Sequence, residues 1–389
     1  MFDNQYCKFN KTLLRLLGLW PYGSTKCDRF RSIFFYMLLL SRMIAEFSQL
    51  LIADFNANVI IKILLNASTA FLQFLVFHTV FFNTKKLKQA LNEVNDNRRT
   101  LTDSEEIKIL YYYAHQGEKF IFILLWLVVF ISFTLFISGL LPDIFDFLLP
   151  LNESRPHNLL IMAEYQINVG IQYYIFYLYS MISTITALFT TTIILSAMVF
   201  LYLHCCAILK ICSYRIKQIV GKNVLAYYNK TNIIIEKIIK VVELHRKMKK
   251  FLKLITTNFS TCYLIVYIVG ICTVAMSLYT LLNVINYMHN FAEAVIPTSY
   301  MITYQLCFFM LSFMAQLVIN HSEELFNALY MSLWYETLIT IQKSLLFIMI
   351  ISSKSLIVNL GGVYVVTMET FTSISKTSMS ILTVFLAIQ

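Results

Sequence analysis

Long apolar runs recur along this chain and are separated by shorter polar segments. Several of the runs exceed the roughly 18 to 20 apolar residues that cross the hydrocarbon core of a bilayer. Only 13% of the residues are charged, whereas an ordinary soluble domain carries about 25%. Because the surplus apolar side chains have to meet lipid, the sequence predicts an all-α integral membrane protein and excludes most classes of soluble enzyme.

The hydropathy pattern predicts seven transmembrane spans, near residues 32–53, 58–82, 119–140, 172–203, 255–286, 297–319 and 345–389. The last run is too long for one straight helix, and Gly361-Gly362 lies inside it. Since glycine weakens helices, we expect a split span. Its first half would end near Val358, and its second half would cover about 363–389.

Lysines and arginines predict the orientation, because short loops rich in them stay in the cytoplasm. The segments 1–31, 83–119 and 204–254 hold six, seven and twelve of the 31 basic residues, whereas the alternating segments 54–57, 141–171 and 287–296 hold only Arg155. This asymmetry predicts a cytoplasmic N-terminus and an extracellular C-terminus. It also makes the net charge of +10 a topology signal rather than a sign of nucleic-acid binding.

Two kinds of cytoplasmic helix are expected, one in the N-terminal segment 1–31 and the other within the membrane domain 32–389. In the segment 1–31, the stretch LLRLLGLWPYG (13–23) spaces leucines three and four residues apart, which is typical of a short amphipathic helix. The segment of about 204–254 carries isoleucines and valines at helical spacing, with lysines on the opposite face. The segment of about 320–344 follows span six directly. We expect these two segments to be helical extensions beyond the bilayer.

One glycosylation site is expected. Among the Asn-X-Ser/Thr sequons, only Asn152 lies on a predicted outer loop. The residues after Met1 do not form the basic segment of a cleavable signal peptide, so the first span is expected to direct membrane insertion.

No recognisable catalytic motif is present: the sequence lacks HExxH, a phosphate loop, GxSxG and paired carboxylates within a span. His204-Cys205-Cys206 with Cys212 fits no structural zinc pattern. We therefore expect no enzyme activity, no metal site and no cofactor.

Two features of the sequence indicate a function. The first is a concentration of aromatic, methionine and hydroxyl side chains in the outer halves of the middle spans. An apolar cavity with a few hydroxyl groups suits a small hydrophobic ligand, although an interfacial aromatic belt is the alternative. The candidate ligand-binding residues are Phe74, Phe133, Phe136, Ile137, Ser138, Tyr173, Tyr174, Tyr177, Met181, Met276, Tyr279, Tyr300, Met301 and Tyr304.

The closing helix is the second feature, because seven of the eleven residues in 370–380 carry hydroxyl groups. Residues spaced three and four apart lie on one face of a helix and form a stripe along it. Hydroxyls early on the stripe tolerate water, and branched apolar residues at its outer end could form a hydrophobic gate; a helix–helix interface is the alternative. The stripe consists of Ser373, Thr377, Ser380, Val384 and Ile388.

Three sequence stretches resemble the insect odorant receptor family. They are LLRLLGLWP near the N-terminus, SEELFNALYMSLWY over 322–335, and METFTSISKTSMS over 368–380. The resemblance implies seven spans with the N-terminus inside, and a plasma-membrane receptor that opens as an odorant-gated, non-selective cation channel. It also implies a hetero-tetramer in which each subunit gives its last half-helix to a central pore.

The resemblance further implies a ligand-recognising tuning subunit that assembles with the shared co-receptor, because the co-receptor has a much longer second cytoplasmic loop. Its ligand would be a small hydrophobic odorant, and its surroundings would be membrane lipid. Two alternatives are a gustatory receptor-like channel and a G-protein-coupled seven-helix receptor. The second disagrees with the cytoplasmic N-terminus and with the absence of DRY and NPxxY.

Overall fold

A computed structural model describes residues 8–23, 25–51, 56–148, 171–220, 231–288, 291–362 and 364–387. Within these ranges the chain forms ten α-helices and one short β-hairpin. The helices are α1 (Lys8–Leu16), α2 (Lys26–Ser48), α3 (Ala57–Phe82), α4 (Thr84–Arg99), α5 (Ser104–Leu148), α6 (Ile171–Ile219), α7 (Thr231–Asn283), α8 (Phe291–Tyr330), α9 (Ile339–Ser352) and α10 (Met368–Ala387). The hairpin pairs β1 (Asn359–Leu360) with β2 (Tyr364–Val365).

The all-α membrane class is confirmed. In the described ranges, six helices are long and apolar enough to cross a membrane, and they coincide with the first six predicted spans. The seventh predicted span corresponds to α9, an apolar helix of 14 residues, and α10, a helix of 20 residues. The two are separated by the hairpin.

Helices α5, α6 and α7 are much longer than the spans predicted within them, with 45, 49 and 53 residues. At 1.5 Å per residue they measure roughly 70 to 80 Å, more than twice the hydrocarbon thickness of about 30 Å. A large part of each helix therefore packs outside the bilayer. The sequence boundaries were short because they followed hydropathy, which falls where a helix leaves the lipid.

Helix α6 is the centre of the bundle. Its apolar stretch is almost wholly buried, and it contacts α5, α7 and α8 along its length, with further contacts to α1, α2 and α3. Such a helix is apolar on all sides because every face meets protein. Helix α10, in contrast, lies at the margin of the bundle and packs against α7 and α8.

The predicted N-terminal amphipathic helix is shifted. The sequence placed it at 13–23, whereas α1 begins at Lys8 and ends at Leu16. The amides of Gly18 and Leu19 donate to the carbonyls of Arg15 and Leu14, at 3.0 and 2.9 Å, and thereby close the last turn. The chain therefore leaves the helix before Pro21.

The predicted break at Gly361-Gly362 is wider than expected. Helix α9 ends at Ser352 rather than near Val358, and α10 begins at Met368 rather than near residue 363. Gly361 and Gly362 adopt φ values of 63° and 74°, which side chains with a Cβ disfavour. The pair reverses the chain between β1 and β2, and the Gly361 amide donates to the Ser260 hydroxyl of α7. The glycines thus build a turn attached to α7 rather than a flexible point within one helix.

Candidate functional site

Four of the predicted ligand-binding residues come together around Ile296 of α8. Tyr177 and Met181 of α6 form a buried cluster against Ile296. Met276 of α7 and Tyr300 of α8 form a second buried cluster that also contacts Ile296. Residues far apart in the sequence therefore pack together where α6, α7 and α8 meet, and we call this group the Ile296 cluster.

A third group of apolar side chains borders the Ile296 cluster from α5. The buried residues Val128, Ile131 and Leu135 pack with Leu188 of α6 and contact Ile296. The sequence did not single out these aliphatic residues, because nothing in their pattern distinguishes a ligand-facing side chain from an ordinary core residue.

Tyr177 is held by α5 in a defined position. Its hydroxyl donates to the Phe136 carbonyl at 2.6 Å. The ring lies directly over Gly139, where an added Cβ would overlap the ring atoms. The close approach of α5 and α6 at this point therefore requires glycine, and the hydrogen bond fixes the ring beside the Ile296 cluster.

Four other candidate residues lie at the margin of the Ile296 cluster or outside it. Phe133, Phe136 and Tyr174 are exposed on the single subunit, with exposed fractions of 61%, 39% and 40%. The Phe74 ring packs against Tyr36 at 5.3 Å between centroids. Phe136 borders the Ile296 cluster, since its ring centroid lies 6.2 Å from that of Tyr177, whereas Phe74, Phe133 and Tyr174 are not among the residues described in that cluster. The three exposed residues are aromatic side chains at the bundle surface, where the aromatic-belt alternative also places them.

The remaining candidate residues have different surroundings from one another. The Tyr304 hydroxyl lies 3.5 Å from the Thr69 carbonyl of α3. The Ser138 hydroxyl donates to the Leu135 carbonyl of its own helix at 2.9 Å. Ile137 and Met301 are half-buried. The side chain of Tyr173, together with Asn152 and Ile388, lies outside the part of the chain that the structure describes.

A buried polar group borders the Ile296 cluster, and sequence reasoning missed it. Arg42 and Glu46, one turn apart on α2, are each 1% exposed. An Arg42 Nη1 hydrogen bond reaches Gln73 Oε1 of α3 at 2.6 Å, and Gln49 Nε2 lies 3.4 Å from Glu46 Oε2. The available signal was the presence of charged residues inside a predicted span, which are rare in lipid and usually functional.

The predicted stripe of α10 faces away from its own subunit. Ser373, Thr377, Ser380 and Val384 are all exposed. The opposite face buries Ile374, Ser378 and Leu382 against the bundle, since α10 packs on α7 and α8. One side of the helix is thus packed against the rest of the bundle, and the other is exposed in the structure of the single chain.

Helix α10 also contacts the Ile296 cluster directly. Phe385 packs against the part of the cluster that contains Met276 and Tyr300. The Phe385 ring meets the Tyr279 ring of α7 edge-on, with centroids 5.9 Å apart. The Tyr279 hydroxyl donates to Asn58 Oδ1 at the start of α3, at 2.7 Å. Phe385, which follows Val384 of the stripe, thus packs α10 against the Ile296 cluster and against Tyr279.

The chain matches known proteins in sequence pattern and in fold. A family model described as 7tm Odorant receptor matches residues 56–379. The insect olfactory receptor OR5 from Machilis hrabei has a similar structure, both alone and in complex with eugenol. Each of these two structures aligns with a TM-score of 0.80 and 14% identity, over 99% of this chain and 98% of the receptor. No curated protein matches the chain in sequence.

Proposed function

Because the chain belongs to the odorant receptor family, we propose that it is the ligand-recognising subunit of an odorant-gated, non-selective cation channel. The exposed hydroxyl stripe of α10 carries this proposal. A helix that packs one face on its own subunit and leaves Ser373, Thr377 and Ser380 exposed suits the lining of a water-filled path between several subunits. The family is one of receptors and not of enzymes.

The ligand would occupy the Ile296 cluster, in the outer half of the membrane. Tyr177, Met181, Met276 and Tyr300 surround it with apolar surface and two hydroxyl groups. Such a lining suits a small, mostly hydrophobic molecule. Tyr279 contacts Phe385 beside this region, and Tyr304 follows Tyr300 by one turn of α8.

Gating would follow from differential binding. A ligand shifts a conformational equilibrium only by the difference between its affinities for the two states. The contact between Tyr279 and Phe385 would transmit ligand binding to α10, because a rearranged Ile296 cluster would displace the outer end of that helix. Val384, with Ile388 beyond it, would form the apolar constriction whose wetting controls ion flow.

The partner would be the shared co-receptor, in a hetero-tetramer at the plasma membrane with cytoplasmic N-termini and extracellular C-termini. The loop charges support this orientation. A channel built around α10 needs several copies of that helix, because one exposed stripe encloses no path by itself.

The direct test is to record odorant-evoked current from cells that express the chain with the co-receptor, the chain alone and the co-receptor alone. We expect odorants to evoke a cation current that depends on this chain and whose odorant ranking changes when another tuning subunit replaces it. An unchanged ranking would assign ligand recognition to the co-receptor and contradict the proposal. Coupling to a G protein would show instead as current abolished by guanosine 5′-O-(β-thiodiphosphate) in the pipette.

A further inference from the structure

Lys376 places a positive charge on the exposed face of α10. The helix has two charged residues, Glu369 in its first turn and Lys376 near its middle, and both are exposed. At 3.6 residues per turn, Lys376 lies about 160° around the helix from the centre of the buried face. Its side chain therefore leaves the helix on the side that carries Ser373 and Ser380, away from the rest of the subunit.

The Lys376 ammonium group has no carboxylate partner in the part of the chain that the structure describes. Glu369 is two turns away, at about 10 Å along the helix axis. An unpaired lysine is costly in the hydrocarbon of a bilayer, so lipid is an unfavourable surrounding for this face. In the assembled receptor the ammonium group therefore meets water or a neighbouring subunit.

The neighbours of Lys376 on α10 favour water over an ion pair between subunits. Of the four residues one turn away, Thr372, Ser373 and Ser380 carry hydroxyl groups, and the fourth is Met379. A second copy of α10 at the same depth would offer no carboxylate, because its Glu369 would again lie about 10 Å closer to the start of the helix. Hydroxyl groups and water can solvate an ammonium group together.

We propose that Lys376 faces the ion path of the channel and lowers its permeability to divalent cations relative to monovalent cations. This inference rests on the proposed function, because ions reach this residue only in a pore that α10 lines. Rings of charged side chains set the selectivity of many pores. A fixed positive charge repels a divalent ion twice as strongly as a monovalent ion. At about 8 Å in water, one such charge changes their permeability ratio by roughly twofold.

Lys376→Gln is the decisive variant, because it removes the charge and keeps a polar side chain of similar length. Lys376→Arg keeps the charge and tests whether the charge or the particular side chain matters. The matched control is Lys354→Gln, which removes another exposed lysine, located between α9 and the hairpin and therefore outside α10.

The measurement is the reversal potential of the odorant-evoked current, with the co-receptor kept constant and external sodium replaced by calcium. We expect Lys376→Gln to raise the calcium-to-sodium permeability ratio by about twofold for each lysine in the pore. Lys376→Glu should raise the ratio further, and Lys376→Arg and Lys354→Gln should leave it at the wild-type value. Half-maximal odorant concentrations should stay within about twofold in all four variants, because the change acts on conduction and not on ligand binding.

Restoring the charge by chemical modification gives a second readout that does not depend on comparing variants. In a Lys376→Cys receptor, 2-(trimethylammonium)ethyl methanethiosulfonate, applied with odorant, should return the raised permeability ratio toward the wild-type value. The anionic 2-sulfonatoethyl reagent should raise the ratio instead. Wild type treated in parallel reveals any contribution from the exposed native thiols of Cys27 and Cys272.

Two results would overturn the inference while the proposed function stands. One is an odorant-evoked current whose permeability ratio is the same in wild type, Lys376→Gln and Lys376→Glu. The other is loss of assembly with the co-receptor in Lys376→Gln that Lys376→Arg rescues, which would assign the lysine to an ion pair between subunits. Absence of any odorant-evoked current from the wild type across a broad panel would reject the proposed function, and the inference with it.

Discussion

The Tyr279 ring of α7 meets the Phe385 ring of α10 edge-on, with 5.9 Å between the ring centroids. Tyr279 is buried, and its hydroxyl binds Asn58 of α3. Phe385 lies one residue beyond Val384 on the helix that we assign to the pore. Since Phe385 also packs directly against the part of the Ile296 cluster that contains Met276 and Tyr300, it contacts both the cluster and Tyr279 next to the exposed stripe of α10.

Replacing Phe385 by alanine should weaken the coupling between ligand and current. An edge-to-face pair is worth about 1 kcal/mol beyond its buried area, so we expect a severalfold higher half-maximal concentration or a lower maximal current. Tyr279→Phe keeps the ring and should have a much smaller effect. Equal effects of the two variants in whole-cell recordings would assign the role to the hydroxyl at Asn58 rather than to the ring contact.

Val384→Ser should raise the resting current or alter ion permeability. A ring of branched apolar side chains wets poorly, so a small polar residue lowers the barrier to ions without ligand. Ser373→Ala, on the same stripe but deeper, should leave the resting current as it is. If Val384→Ser reaches the surface and changes neither leak nor ion preference, the stripe is a helix–helix interface instead.

Gly139→Ala should change ligand sensitivity without adding a polar group. The new methyl group would overlap the Tyr177 ring, and we expect the displaced ring to shift the half-maximal odorant concentration severalfold. Gly117→Ala is the matched control on the same helix. Its Cβ would lie 2.9 Å from Leu203 Cδ1, a flexible side-chain end that can move, so the dose–response curve should stay in place. Coincident curves for both variants would place Tyr177 outside the binding region.

Glu106→Gln should lower thermal stability. Glu106 is buried and accepts from Arg215 Nε and Nη2 at 2.5 and 2.8 Å, which joins α5 to α6. Removing one partner leaves the other charge uncompensated, at a cost of roughly 3 kcal/mol. The neighbouring Glu105→Gln removes only an exposed pair with Lys108 and should lower stability much less, because solvent screens such a pair. Melting of the detergent-purified receptor, followed by size-exclusion fluorescence, compares the two.

Asn152 should be glycosylated, and Asn10 should not. In the structure Asn10 is 6% exposed and accepts a hydrogen bond from Ser196 at 3.0 Å, so the folded protein offers no room for a glycan there. A glycosidase-sensitive mass shift should disappear in Asn152→Gln. A shift that survives this substitution would contradict the cytoplasmic N-terminus.

Hydropathy predicted the fold class because the bilayer imposes a strong and local requirement on composition. It also located the break near Gly361, since a glycine pair in an apolar run is a local signal. It could not give the ends of α5, α6 and α7. Those helices continue where side chains bury against other helices rather than lipid, and that burial depends on contacts distant in sequence.

The candidate site was predictable only in part, for a similar reason. Helical spacing was enough to identify the exposed stripe of α10 from Ser373 to Val384, because one periodic face carries it. Spacing could not separate Tyr300, which faces the Ile296 cluster, from Phe133, which faces outward. Both are aromatic residues in the outer part of a span, and only the packing of several helices distinguishes them. Arg42 was visible as a charge in a span, but its hydrogen bond to Gln73 depends on how α2 and α3 pack.

The exposed face of α10 separates two tasks within the subunit. Ser373, Thr377 and Val384 are exposed, whereas Ile374, Ser378 and Leu382 hold the helix in place. Substitutions on an exposed face usually change folding stability by no more than about 0.5 kcal/mol. In the proposed channel, substitutions on this face would therefore change ion conduction with little effect on the fold of the single chain, whereas substitutions in the Ile296 cluster would also change its packing.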